Sequence, residues 1–172
     1  MGDKISPSSE LKLWLGGLID DAVTRHVASQ QQEPIIDYLT NLLVQFSDSD
    51  KIFFIRDRAG RPVREVAELL AEGDIAQRAD SFAREREVHR HLGDFLLFGV
   101  GVFPQFLHHA PDEAPQNLEA YCRLGQESYF VVSSFDHEPY NQEAATYRSL
   151  GNGFADYAFC LRIVRDQVGL RA

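Results

Sequence analysis

The sequence predicts an all-α fold: a bundle of five or six helices with a small extended or β-hairpin element near residues 52–63. Three observations predict it. Apolar residues recur three and four apart over long stretches of the chain, which is the period of a helix with one buried face. Residues that start and stop helices punctuate those stretches. The most apolar run, residues 92–107, is apolar on every side beyond Asp94, as a helix surrounded by other helices must be.

Taken in order, Ser6 is an N-cap and Pro7 a first helical residue, and Leu11, Trp14, Leu15, Leu18 and Ala22 then share one face as far as about Ser29. His26 extends that stripe and is expected to be a partly buried core or interface histidine. The Gly16-Gly17 pair weakens the helix or admits a neighbour. Gln30-Gln31-Gln32 is a short polar link, so the helix opened by Pro34, with Ile35, Tyr38, Leu39, Leu42, Leu43 and Phe46 at helical spacing, should return antiparallel to the first. It ends at residues 47–50.

Residues 52–55 (Ile-Phe-Phe-Ile) are too few for an independent helix, and the Gly60 turn before Val63 suggests a hairpin or extended loop laid over the helices. A short third helix carries Val63, Val66, Leu69 and Leu70 and stops at Gly73. The central helix should run from Ile75 or Ser81 to Val102. Gly93, Gly99 and Gly101 imply close approach by a neighbour or a break, and Pro104 places the break near residues 99–104. Two prolines make residues 108–115 a loop with His108 and His109 on its surface. Asn117 caps a helix in which Leu118, Cys122, Gly125, Tyr129 and Val132 form one stripe, Gly125 allowing a close crossing. After a loop at residues 136–140, Tyr147, Leu150, Phe154, Tyr157, Leu161, Val164 and Val168 make a last helical stripe that Gly151-Asn152-Gly153 kinks or breaks in two.

The 172 residues fit one domain, 1–172, at 44% hydrophobic and 25% charged composition. No signal-type apolar segment opens the chain, so a cytoplasmic location is expected, with Cys122 and Cys160 as free thiols. Residues 92–107 are too short to span a bilayer and hold Asp94 and Pro104, so no membrane association is expected. Met1-Gly2 with Ser6 matches a loose myristoylation pattern that carries no weight alone. Net charge is −9, unevenly spread: residues 51–91 hold nine Lys or Arg and eight Asp or Glu, which leaves −10 for the rest. Such a chain has no electrostatic footprint for nucleic acid. Arg56, Arg58, Arg61 and Arg64 could hold an anion, although Asp57 and Glu65 among them favour a solvated face.

Chemistry concentrates where the charged half of the central helix meets its apolar half. Glu87, His91 and Asp94 lie at i, i+4 and i+7 on one stripe, and a carboxylate or imidazole at such a junction is partly desolvated. The plainer reading is a surface pair of Glu87 with His91 and an Asp94 bonded to a neighbouring helix. The Glu-x-x-His repeat of di-metal bundles is absent, and neither cysteine has a ligand at zinc spacing. Across from the stripe, the helix at 117–134 offers Tyr121, Glu127 and Tyr129. Ser128 lacks a nucleophile elbow and has no base within sequence reach.

The pattern Ile-Arg-Asp-x-x-Gly-Arg-Pro, then Arg-Glu-Arg-Glu, His-Leu-Gly-Asp-Phe-x-Leu-Phe-x-x-Gly-x-Phe-Pro and Tyr-x-x-x-Gly-x-x-Ser-Tyr, from Phe54 through Tyr129, resembles a set of uncharacterised bacterial proteins. The resemblance covers about the middle half of the chain. It implies that the two central helices form a characteristic unit and carries over no activity.

By elimination the sequence points to a non-enzymatic interaction or regulatory protein without a cofactor, its partner another protein or a second copy of itself. The alternative is a metal-dependent or small-ligand-binding enzyme with its site between the central helix (81–102) and the helix 117–134. There Glu87, His91 and Asp94 would hold a single divalent metal such as iron, manganese or zinc, or His91 would act as a base held by Glu87.

Overall fold

The computed structural model describes residues 7–28, 32–107 and 118–169. Among these residues the chain forms eight α-helices: α1 (Pro7–His26), α2 (Gln32–Phe46), α3 (Ser49–Ile52), α4 (Val66–Gly73), α5 (Phe82–Gly101), α6 (Leu118–Ser133), α7 (Asn141–Asn152) and α8 (Phe154–Val168). A 3₁₀ turn, Pro104–Leu107, follows α5.

The helix at the centre is α5. Ser81 caps it, its hydroxyl accepting from the Arg84 N–H at 3.2 Å. From Phe95 to Gly101 every residue is buried, as the all-round apolar run requires. The helix ends where the glycines and Pro104 placed the break. α6 lies along α5, α4 meets it beside Val88 and His89, and α8 crosses it at Gly101. α1 packs on α2 and α8, and α6 on α7. Two glycines set these distances. A Cβ on Gly93 would stand 2.7 Å from Tyr129 Cε1, and one on Gly125 would run into the Phe154 ring. Glycine is what lets both aromatic rings seat.

Eight helices stand where five or six were expected, for two local reasons. Asp48 caps an extra helical turn, accepting from the Asp50 N–H at 3.0 Å, so that α3 begins where the sequence suggested only a helix end. The last stripe is broken at Gly153 into α7 and α8. The extended element near 52–63 also needs correction, since among the described residues there is no strand. A single antiparallel bridge joins Arg56 to Pro62, and the Val63 N–H donates to the Ile55 carbonyl at 2.8 Å. Pro62 has no N–H with which to extend a ladder. The turn closes instead on Asp57, whose carboxylate accepts from the N–H groups of Ala59 and Arg61 and from the Arg61 guanidinium. The Arg61 backbone bond leads the effects that hold this carboxyl below its ordinary pKa.

Two residues of the first stripe sit further out than expected. Trp14 is 51% exposed, and His26 is exposed with its ring edge-on to Phe159 at 5.5 Å. Cys122 and Cys160 are free thiols. No helix among the described residues is long and apolar enough to cross a membrane. The expected Ser6 cap, the residue 1–6 pattern, the loop of His108 and His109 and the Asn117 cap lie outside the described residues.

Candidate functional site

Glu87, His91 and Asp94 all project from α5, and each meets a different environment. Glu87 accepts from Arg84 Nη1 at 3.1 Å and keeps much of its side chain in water. His91 is buried among Phe46, Phe54 and Phe95, with ring centroids at 6.0, 4.9 and 6.3 Å. Its ring bonds the Ile52 carbonyl while Nε2 has no partner among the described residues, so the bonded nitrogen is Nδ1. Burial pushes its pKa from 6.5 down to about 4, opposed by the Ile52 bond and assisted by the charge of Arg90. At neutral pH His91 is an uncharged core residue.

Asp94 organises a polar cluster instead. The hydroxyls of Tyr38, from α2, and Tyr129, from α6, both donate to Oδ1, at 2.6 and 2.8 Å. Tyr147, from α7, packs against both rings, with centroids at 5.6 Å from Tyr38 and 6.0 Å from Tyr129. Arg90, one turn before Asp94 on α5, bonds the Tyr147 side chain. Burial raises the Asp94 carboxyl from 3.8 to about 6, against the two tyrosine bonds and the Arg90 charge, which pull it down. Burial, followed by the Asp94 charge, drives the phenols of Tyr38 and Tyr129 well above their ordinary value. Oδ2 takes no hydrogen bond among the described residues, and Asp94 keeps part of its surface in solvent. A carboxyl that titrates near neutrality is equipped to take and return a proton.

The geometry does not bring Glu87, His91 and Asp94 together at one point. Residues at i and i+7 are ~10 Å apart along a helix axis, His91 and Asp94 turn to different neighbours, and among the described residues no three His, Cys, Asp or Glu side chains gather as ligands would. From the facing helix only Tyr129 reaches a member of the stripe. Tyr121 donates to the Leu107 carbonyl at 2.8 Å, pinning the 3₁₀ turn, and Glu127 is exposed. At Gly93 the interface of α5 with α6 is closed by the Tyr129 ring.

Openings border this core among the described residues. Tyr38 and Tyr147 wall a cleft of about 240 Å³ with Asp37, Asn41, Glu143 and Thr146. Arg84, Arg86, Arg90 and Tyr140 wall a second, of about 480 Å³. Arg86 pairs with Glu143, and Arg90 bonds Tyr147, so the two clefts adjoin along those pairs. The third is an apolar groove of about 170 Å³ between Trp14, Leu43, Phe98, Phe103 and Val164.

Sequence reasoning missed Tyr38, Arg90 and Tyr147 as members of the cluster. Their signal was a polar tip set inside an apolar stripe, which periodicity counts as core. It also missed that His89 of α5 brings Nδ1 to 3.5 Å from the Ser128 hydroxyl. That contact is long, burial lowers the His89 pKa, and Ser128 is 1% exposed, so it closes the interface of α5 with α6 and gives no substrate access. No protein-family model, curated protein or solved structure matches this chain.

Proposed function

We propose that the chain is a regulatory protein that binds a small polar ligand bearing an amino group in the cleft of Tyr38 and Tyr147, with Asp94 exchanging the proton. The observation that carries this reading is the Asp94 carboxyl: both tyrosine donors end on one oxygen, the other takes no hydrogen bond among the described residues, and its pKa is about 6. Asp37 and Glu143 give the cleft the charge that attracts an ammonium group, and two tyrosine rings add the face it packs on. Ethylammonium titrated into protein carrying ¹³C-labelled aspartate and tyrosine tests it. The amine should lower the Asp94 carboxyl pKa and shift Tyr38 and Tyr147, and these effects should vanish in Asp94→Asn. Resonances that do not respond at millimolar amine overturn the reading.

A second reading, an interaction with another copy of this chain, is favoured by one observation. Leu13, 69% exposed, and Trp14 are consecutive on α1, and Trp14 lines the apolar groove. A protruding apolar side chain and an apolar recess on one helix can pair reciprocally across a two-fold axis. Sedimentation over a concentration series, with the fluorescence of the single tryptophan followed alongside, should show association that Leu13→Asp abolishes. A monomer at every concentration removes this reading.

A further inference from the structure

The larger cleft carries the opposite charge to its neighbour. Its charged walls are Arg84, Arg86, Arg90 and Glu87, a local balance of +2 in a chain of −9. Arg84 is already committed, bonding Glu72, Glu87 and the Arg56 carbonyl. Arg86 is not. Its side chain is only 10% exposed, Nη2 pairs with Glu143 at 2.5 Å, the guanidinium lies 4.0 Å above the Tyr140 ring, and Nε is buried with no hydrogen-bond partner among the described residues. Buried polar groups are almost always paired, and Arg86, which lines this cleft, carries a buried guanidinium nitrogen that has no acceptor among the described residues.

We propose that this cleft binds the carboxylate or phosphate group of a small molecule on Arg86 and Arg90, beneath Tyr140. The planar guanidinium fork matches two oxygens of such a group at once. Glu143, exposed over much of its side chain at the first turn of α7, already presents a carboxylate to Arg86 and acts as the internal competitor that the ligand displaces or joins. The adjoining cleft, walled by Asp37 and Glu143 without a basic residue, repels the same anion. The proposal goes beyond the amine reading and stands without it.

Inorganic phosphate and acetate, titrated separately at ionic strength held constant with chloride, test the proposal through the Nε–H resonances of Arg86 and Arg90. Saturable shifts of both are expected. Saturation by phosphate alone assigns a phosphate ligand, and saturation by acetate alone a carboxylate. Arg90→Gln should weaken binding about tenfold, the size expected for one charge-assisted contact. Glu143→Gln should tighten it by removing the competitor, and Asp94→Asn should leave it in place. If Arg90→Gln does not fold, Arg86→Lys, which keeps the charge and loses the fork, should weaken binding instead. Shifts that never saturate, shifts equal to those from chloride, a Glu143→Gln variant no tighter than the parent, or loss of binding in Asp94→Asn would each overturn the proposal.

Discussion

His91 and Asp94 stand three residues apart on α5, and burial displaces their pKa values in opposite directions, to about 4 and about 6. The folded chain therefore binds fewer protons than the unfolded chain at His91 and more at Asp94 over much the same range. Stability from the neutral histidine is present above 6.5 and is lost as pH falls toward 4. Stability from the protonated aspartate is present below 3.8 and is lost as pH rises through 6. Each shift is worth up to about 3 kcal/mol, less at Asp94 because water still reaches it. The two slopes oppose one another, so Asp94→Asn should make stability fall more steeply on acidification from 6.5 to 4, and His91→Gln should make it rise relative to the parent. Urea unfolding across that range checks both. Parallel profiles for all three proteins would refute the assignment.

Removing either tyrosine hydroxyl leaves Oδ1 one donor short. Tyr38→Phe and Tyr129→Phe should each cost about 1 kcal/mol and raise the Asp94 carboxyl further above 6. Because both bonds end on one atom, the double variant should not be the sum of the singles. Carboxyl ¹³C titration reads the first effect and denaturant unfolding the second.

Two glycine-to-alanine changes should have opposite signs. Gly93→Ala drives a methyl into the Tyr129 ring, which Asp94 holds in place, and should destabilise by about 1–3 kcal/mol. Gly17→Ala meets nothing within 4 Å on an exposed face of α1 and should stabilise by about 0.5–1 kcal/mol. Thermal unfolding of the two variants side by side is sufficient.

Glu72, 3% exposed, accepts from Arg78 and Arg84 at 3.2 and 3.3 Å. Glu72→Ala should cost about 1–3 kcal/mol, because it removes a buried carboxylate that two arginines bond and leaves the partly buried Arg84 one acceptor short. Glu119→Ala, at an exposed pair with Arg123, should change stability by less than about 0.5 kcal/mol. Equal costs in urea would contradict this ranking.

What could be read from the chain follows the range of the interactions. The start of α5 at Ser81, its stop before Pro104 and the break at Gly153 are each set by a few adjacent residues, and each was one of the alternatives those residues offered, beside a start at Ile75 and a mere kink at residues 151–153. Gly125 was likewise read as a close crossing, and the Phe154 ring is what crosses there. The candidate site depends on longer reach. Tyr38 lies 56 residues from Asp94, and only the packing of α2 on α5 brings them to 2.6 Å. Periodicity set Asp94 and His91 on one stripe, but it could not show that His91, one turn earlier, faces phenylalanines while Asp94 meets tyrosines. The element near 52–63 failed as a hairpin for a local reason, since Pro62 interrupts pairing after a single bridge.

Arg84 joins parts of the chain that share no helix: its guanidinium bonds the Arg56 carbonyl at 2.7 Å, Glu72 of α4 and Glu87 on its own α5. Between Arg56 and Arg84 no helix exceeds the eight residues of α4, too few to persist without support. Backbone amides in that excursion should therefore exchange with solvent as one cooperative unit. Its release ought to be gated by a single side chain at the first turn of the central helix.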